Sequence, residues 1–370
     1  MERAFSRVER PSPAAVPAFT AVQASLDPTV GRLAAFAYVE SSPPQLLVAF
    51  HHLAVDGVSI QILLEDLRAL LLQLKAGEEP ALGVKTASVR EVAQALELRA
   101  QTVGVLDQLD FWALNTSLPI PHVPLRSDAA ARDCVTDEVC ISVRLSAAET
   151  DRLLRGPAAE GLNSEDILIA ALTLALGDWT GESVLYVQME GHGRDAVDSE
   201  LDIARTVGWL TSHYPVWFDL TSIPIEEAPK AIHAQRLEIP DRGTGFGLLR
   251  YLGSSETCAQ LASGLRPEVS FNFLGQIAPP PPGAFSVLSW EPDRPCRGLE
   301  RKPAAVRTCI IAIEAMISNN CLVADWKFNP ARTHVGDVEK ATDLFKKLIV
   351  DMTSKSMQTS GSISAKRGER

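Results

Sequence analysis

The chain is 370 residues long with 46% hydrophobic residues, enough to bury a substantial core and to favour two compact lobes over one. Its formal charge of −11 leaves no surplus of basic side chains for phosphates, and no Lys/Arg cluster alternates with aromatics, which argues against a nucleic-acid partner. Met1-Glu2-Arg3 opens the sequence without an apolar signal segment and no apolar run reaches bilayer length, so neither secretion nor membrane spanning is expected. The six cysteines form no CxxC pair and have no metal-ligand spacing with histidine, which reads as reduced thiols in a cytoplasmic protein with no metal site.

Gln45 to Phe50 is almost wholly apolar and reads as a strand buried on both faces. A helical run follows from Ile60 to Leu74, with Ser59 suited to cap its start and Lys75 and Gly77 suited to its end. Between them His51-His52-Leu53-Ala54-Val55-Asp56-Gly57 forms a tight loop from strand to helix. The prolines at 119, 121 and 124 and the non-periodic segment after them place a lobe boundary near residue 132, giving an N-terminal lobe over 1–132 and a C-terminal lobe over 133–357.

In the second lobe Val139, Ile141, Val143 and Leu145 alternate with smaller or polar residues as a half-buried strand. Ser146-x-x-Glu149 is a capping box opening a helix that ends near Gly156, and a second helix starts at Asn163 or Ser164. Val184 to Met189 predicts another strand, ending at Glu190-Gly191-His192-Gly193-Arg194, where two glycines aim a charged residue out of regular structure. Trp209 and Tyr214 read as core aromatics of a strand. Pro279 to Pro282 predicts an extended loop, and residues 358–370 have the composition of a flexible tail or linker.

The 51–57 loop matches the pattern HHxxxDG. Four further stretches follow in order: Glu190-Gly191-His192-Gly193-Arg194, then Arg205-Thr206-Val207-Gly208-Trp209-Leu210-Thr211-Ser212-His213-Tyr214-Pro215-Val216, then Gly245-Phe246-Gly247-Leu248-Leu249-Arg250-Tyr251-Leu252, and Phe271-Asn272-Phe273-Leu274-Gly275-Gln276. From near Phe5 to about residue 355 the chain resembles the epimerization domains of nonribosomal peptide synthetases, within the condensation-domain superfamily. It departs from that pattern at Ile60-Gln61, where Trp-Arg is usual, and at Phe273, where tyrosine is usual. The family's opening strand and helices have no counterpart at its start, so the N-terminal lobe is expected to be incomplete.

The resemblance implies an α/β fold of two chloramphenicol-acetyltransferase-like lobes, with mixed sheets and packed helices, in a V with a tunnel between them. It implies inversion of the α-carbon of an aminoacyl or peptidyl thioester on a peptidyl carrier protein, whose phosphopantetheine arm enters the tunnel, and adenylation and condensation domains as further partners. No cofactor of the chain's own is expected. A proton next to a thioester is weakly acidic, so its removal near neutral pH needs a placed base and stabilisation of the enolate oxygen. His52 and Glu190 are the expected acid/base pair: histidine ordinarily titrates near neutrality, and a carboxyl shielded from water is raised toward it. His51 is expected to shape the loop beside Gly57, Asp56 to tether it through a buried ion pair, and Asn272 to lie near the substrate carbonyl. Phe273 cannot supply a tyrosine's hydroxyl. The alternatives are a peptide-bond-forming condensation domain, an acyltransferase using a soluble thioester, and an inactive carrier-docking fragment.

Overall fold

The computed structural model describes residues 15–40, 44–129, 132–194, 201–276 and 301–365. Pro279 to Pro282 and Cys296 lie outside them. The chain is α/β and forms two compact units. The first gathers Met1–Leu96, His192–Thr211 and Pro279–Pro303, and the second Glu97–Gly191, Ser212–Ala278 and Ala304–Arg370. These units interleave in sequence, where composition places a single boundary near residue 132. The proline-rich stretch belongs inside the second unit, tied there by Val123 N–H donating to Glu268 Oε2 (2.8 Å) and Arg126 N–H to the Arg332 carbonyl (2.8 Å).

In the first unit helix α1 (Ala15–Ala24) packs on an antiparallel pair, β1 (Ala34–Val39) and β2 (Gln45–Phe50). The strand predicted at 45–50 is present but is buried on one face: Leu47 and Ala49 are buried whereas Leu46 is 51% exposed. An apolar run does not reveal how many layers cover it. Helix α2 spans Gly57–Ala76 and ends at Gly77 in the left-handed region (φ 77°), where glycine carries no steric penalty. Its N-cap is Asp56, and the amide of Ser59 donates to the Asp56 side chain; the helix therefore starts three residues before Ile60. Helix α3 (Val89–Arg99) follows, its last three residues counted with the second unit.

The second unit contains α4 (Val103–Leu106), α5 (Leu109–Asn115), β3 (Val139–Arg144), α6 (Ala147–Arg155), α7 (Ser164–Thr180), β4 (Val184–Gly191), β5 (Ser212–Asp219), α8 (Ala228–Leu237), α9 (Thr244–Leu252), α10 (Ser255–Ser263), β6 (Val269–Gln276), β7 (Ile311–Ser318), β8 (Cys321–Phe328) and α11 (Val335–Ala365). Capping boxes open α6 at Ser146–Glu149 and α7 at Asn163–Asp166. The strands form one six-stranded mixed sheet in the order β3-β8-β7-β6-β4-β5, parallel at β4–β6 and β6–β7 and antiparallel elsewhere. Helix α11 continues to Ala365, into the segment whose composition reads as a linker from residue 358. That segment holds no proline, and extending a formed helix costs far less than nucleating one.

Side-chain alternation divides this sheet into two faces. One carries Trp326, Ile313, Phe271, Met189 and Tyr214, which are neighbours across five strands and are all buried. The ring of Phe345 on α11 packs edge-on against Trp326 with centroids 5.5 Å apart. The adjacent residue on each strand points the other way, and that set is polar.

Candidate active site

In the first unit the site is organised by Asp56, which is 3% exposed. Its carboxylate accepts from the Ser59 amide (2.8 Å) and hydroxyl (2.7 Å), from Arg194 Nη1 (2.8 Å) and Nη2 (3.1 Å), and from the Leu210 amide (3.1 Å). Burial alone would raise its pKa, but the hydrogen bonds from Arg194 and Ser59 outweigh it and hold the group below the ordinary carboxylate range. The Ser59 hydroxyl also accepts from the Gly208 amide at 3.0 Å. A Cβ on Gly208 would stand 1.9 Å from Val89 Cγ2, so this close approach requires glycine. Asp56 therefore joins the HHxxxDG loop to Arg194 and to the 206–210 segment.

The two loop histidines differ. His51 takes a local role, its Nδ1 accepting from the Leu53 amide (3.2 Å) while its carbonyl accepts from Ala54 N–H (2.9 Å). His52 is exposed and meets the Trp209 ring edge-on at 5.8 Å. Trp209 itself is 45% exposed and outside any strand, a correction to its reading as a core aromatic; Tyr214 is buried on β5. Gly57 begins α2 with ordinary backbone angles and nothing within 4 Å of an added Cβ, so no local crowding demands glycine there.

In the second unit Glu190 stands near the end of β4, directly opposite His213 on β5. Asn272 Nδ2, on β6, donates to Glu190 Oε2 at 2.6 Å. Asn272 pairs with Glu314 on β7, Glu314 with Asp325 on β8, and Asp325 with Ser142 on β3. A polar row thus crosses the whole sheet on the face away from α11. Lys327 Nζ holds Glu314 Oε2 at 2.6 Å, and the Ser142 hydroxyl donates to Asp325 Oδ1 at 2.6 Å. Burial, reinforced by the charge of Glu314 and opposed by the Asn272 hydrogen bond, pushes the Glu190 carboxyl up to about 7. Phe273, the next residue of β6, is half-buried, and Gly275 adopts φ +71° where the β6–β7 register shifts, the geometry of a glycine bulge.

Arg194 beside Asp56, and His213 and Glu314 beside Glu190, are neighbours that the sequence motifs did not single out. Glu314 had a signal, as the one charged residue within the apolar strand Ile311–Ser318. Among the described residues no group of three His, Cys, Asp or Glu is placed to hold a metal ion. Cys134, Cys140, Cys258, Cys309 and Cys321 are free thiols, and no helix among the described residues is long and apolar enough to cross a membrane.

The profile of the Condensation domain family matches residues 5–365. Bacitracin synthase 1 of Bacillus licheniformis is 34% identical over 320 residues, covering 86% of this chain and 6% of that protein. Chondramide synthase cmdD of Chondromyces crocatus is 34% identical over 328 residues, covering 84% of this chain and 8% of the relative, so the chain spans a small fraction of these synthases. The crystal structure of the epimerization domain from the third module of tyrocidine synthetase B is similar at a TM-score of 0.84 and 29% identity, covering 96% of this chain and 79% of that one. The SgcC5 protein of Streptomyces globisporus shares the fold at a TM-score of 0.67 and 16% identity, over 92% of this chain and 76% of its own. With the family profile matched over nearly its whole length and bacitracin and chondramide synthases among its relatives, the chain belongs to the condensation domain family.

Proposed function

We propose that the chain inverts the α-carbon of an aminoacyl or peptidyl thioester carried on the phosphopantetheine arm of a peptidyl carrier protein, in the cytoplasm, as one domain of a nonribosomal peptide synthetase. The observation that carries this reading is Glu190, a carboxyl raised to about 7 and held by Asn272. A group poised there is both protonated and ionised at neutral pH, so it can take a proton from carbon and return one. Its place in the Glu190-to-Arg194 motif and the likeness to an epimerization domain support the same reading.

In this reading one of Glu190 and His52 removes the Cα proton, the C–H electrons pass into the thioester as an enolate, and the other group delivers a proton to the opposite face. Asn272 fixes the carboxyl for that transfer, and Asp56 and Arg194 fix the loop that carries His52. The carrier supplies the phosphopantetheine, so the chain needs no cofactor of its own.

The test uses carrier domains loaded with L-alanyl, L-phenylalanyl or L-valyl thioesters in heavy water. The expected result is a mixture of L and D residues with deuterium at Cα. Amide formation with a second aminoacyl carrier, without Cα exchange, would establish a condensation activity instead; binding without either reaction would mark a docking module.

A further inference from the structure

We propose that His213 relays protons between Glu190 and water, a positioning residue that acts through Glu190; this rests on the epimerase reading above. β5 is an edge strand of the sheet, and His213 lies opposite Glu190 in its register. The His213 Nδ1 is 3.8 Å from Glu190 Oε1, and the histidine side chain is 38% exposed against 25% for the glutamate. Gln188 Nε2 lies 3.2 Å from the same Nδ1. An amide nitrogen only donates, so Nδ1 accepts and the neutral ring keeps its proton on Nε2.

The other neighbours of Glu190 on this face are unsuited to the task. Asn272 donates to the carboxylate and carries no exchangeable charge. Glu314 is an anion held by Lys327, two strands inward from Glu190. His213 alone of the three lies on an edge strand and carries two ring nitrogens, one able to take a proton while the other gives one up.

A gap of 3.8 Å exceeds a hydrogen bond, and either a bridging water or a small swing of the glutamate closes it. When Glu190 has taken a proton, its O–H replaces the Gln188 amide as donor to Nδ1. The O–H bond breaks as Nδ1–H forms, and the imidazolium gives its Nε2 proton to water. Glu190 is then an anion again and the ring is neutral as the other tautomer, which exchange with water resets. The reverse passage charges Glu190 with a solvent proton.

The experiment compares the full chain with His213→Ala and His213→Gln on the same loaded carriers in heavy water, reading inversion and Cα deuterium together, with thermal unfolding measured alongside. Both variants should lose about tenfold in inversion and place less deuterium in the residues that keep their configuration, because a proton trapped on Glu190 returns to the face of carbon it left. Added imidazole should restore His213→Ala severalfold. Undiminished turnover in folded variants, or a loss that imidazole leaves untouched, would overturn the relay while leaving the epimerase reading intact. Absence of Cα exchange in the unaltered chain would overturn that reading and the relay with it.

Discussion

Asp56 and Glu190 are both motif carboxylates at the edge of regular structure, and their surroundings send them in opposite directions. Asp56 accepts five hydrogen bonds, two from the guanidinium of Arg194, and stays ionised below the ordinary range. Among the described residues Glu190 has a neutral donor, Asn272, and an anionic neighbour, Glu314; it is raised to about 7. Partner count and partner charge, more than burial, separate a carboxylate that holds a loop from one that can exchange a proton. The same contrast appears in the pH dependence of stability. A depressed pKa adds stability above the unfolded value of about 3.8 that is lost as pH falls through the folded one. The raised pKa of Glu190 adds stability below about 4.5 that is lost as pH rises through about 7.

The most damaging way to break this contrast is Asp56→Ala, which leaves Arg194, 10% exposed at its side chain, without its carboxylate. Removing one partner of a buried ion pair costs about 3–5 kcal/mol, and chemical denaturation should show a loss of that size. Glu190→Gln should do the reverse. It should lower inversion on the order of a hundredfold or more, read by chiral analysis of the released amino acid, while keeping the side chain's size. Because the glutamine needs no proton, the variant should match or exceed the parent's stability at pH 8, by up to about 3 kcal/mol. A smaller contrast separates the histidines: His52→Ala should abolish inversion with little change in unfolding temperature. His51→Ala, which loses the acceptor for the Leu53 amide, should cost about 1 kcal/mol of stability.

The sequence made the elements around these groups legible where a local signal existed. The Ser146–Glu149 capping box and the strand beginning at Val184 stand where local pattern places them, because caps and alternation act within a few residues. The pairing of strands was not legible. Nothing local indicates that Glu190, Asn272 and Glu314 share one row, since that row depends on parallel registers between strands separated by dozens of residues. His213 illustrates the same limit: alternation with buried Tyr214 shows that it faces the other way, but only the β4–β5 register sets it against Glu190. The interleaving of the units was hidden for a related reason. Residues 190–194 and 205–216 read as continuous motifs, yet each passes from one unit to the other, at Gly191–His192 and at Thr211–Ser212.

The finest test moves one neighbour of Glu190 without touching the group itself. Glu314 raises the Glu190 pKa by its charge, so Glu314→Gln should move the inflection of the inversion rate against pH to a lower pH, whichever direction of transfer Glu190 serves. A shift of up to a unit corresponds to at most about tenfold in rate at a fixed pH near the inflection. Stability should hardly change, because the pair with Lys327 is partly exposed, the glutamate at 44%, and such pairs contribute about 0–1 kcal/mol. Lys327→Met should act oppositely: it removes the cation that offsets Glu314, leaves the anion's field on Glu190 less opposed, and should carry the inflection to a higher pH. Shifts of opposite sign in two variants of near-equal stability would show that the field of the row, and not loosened packing, tunes the carboxyl; shifts of the same sign would show that the strand had merely moved.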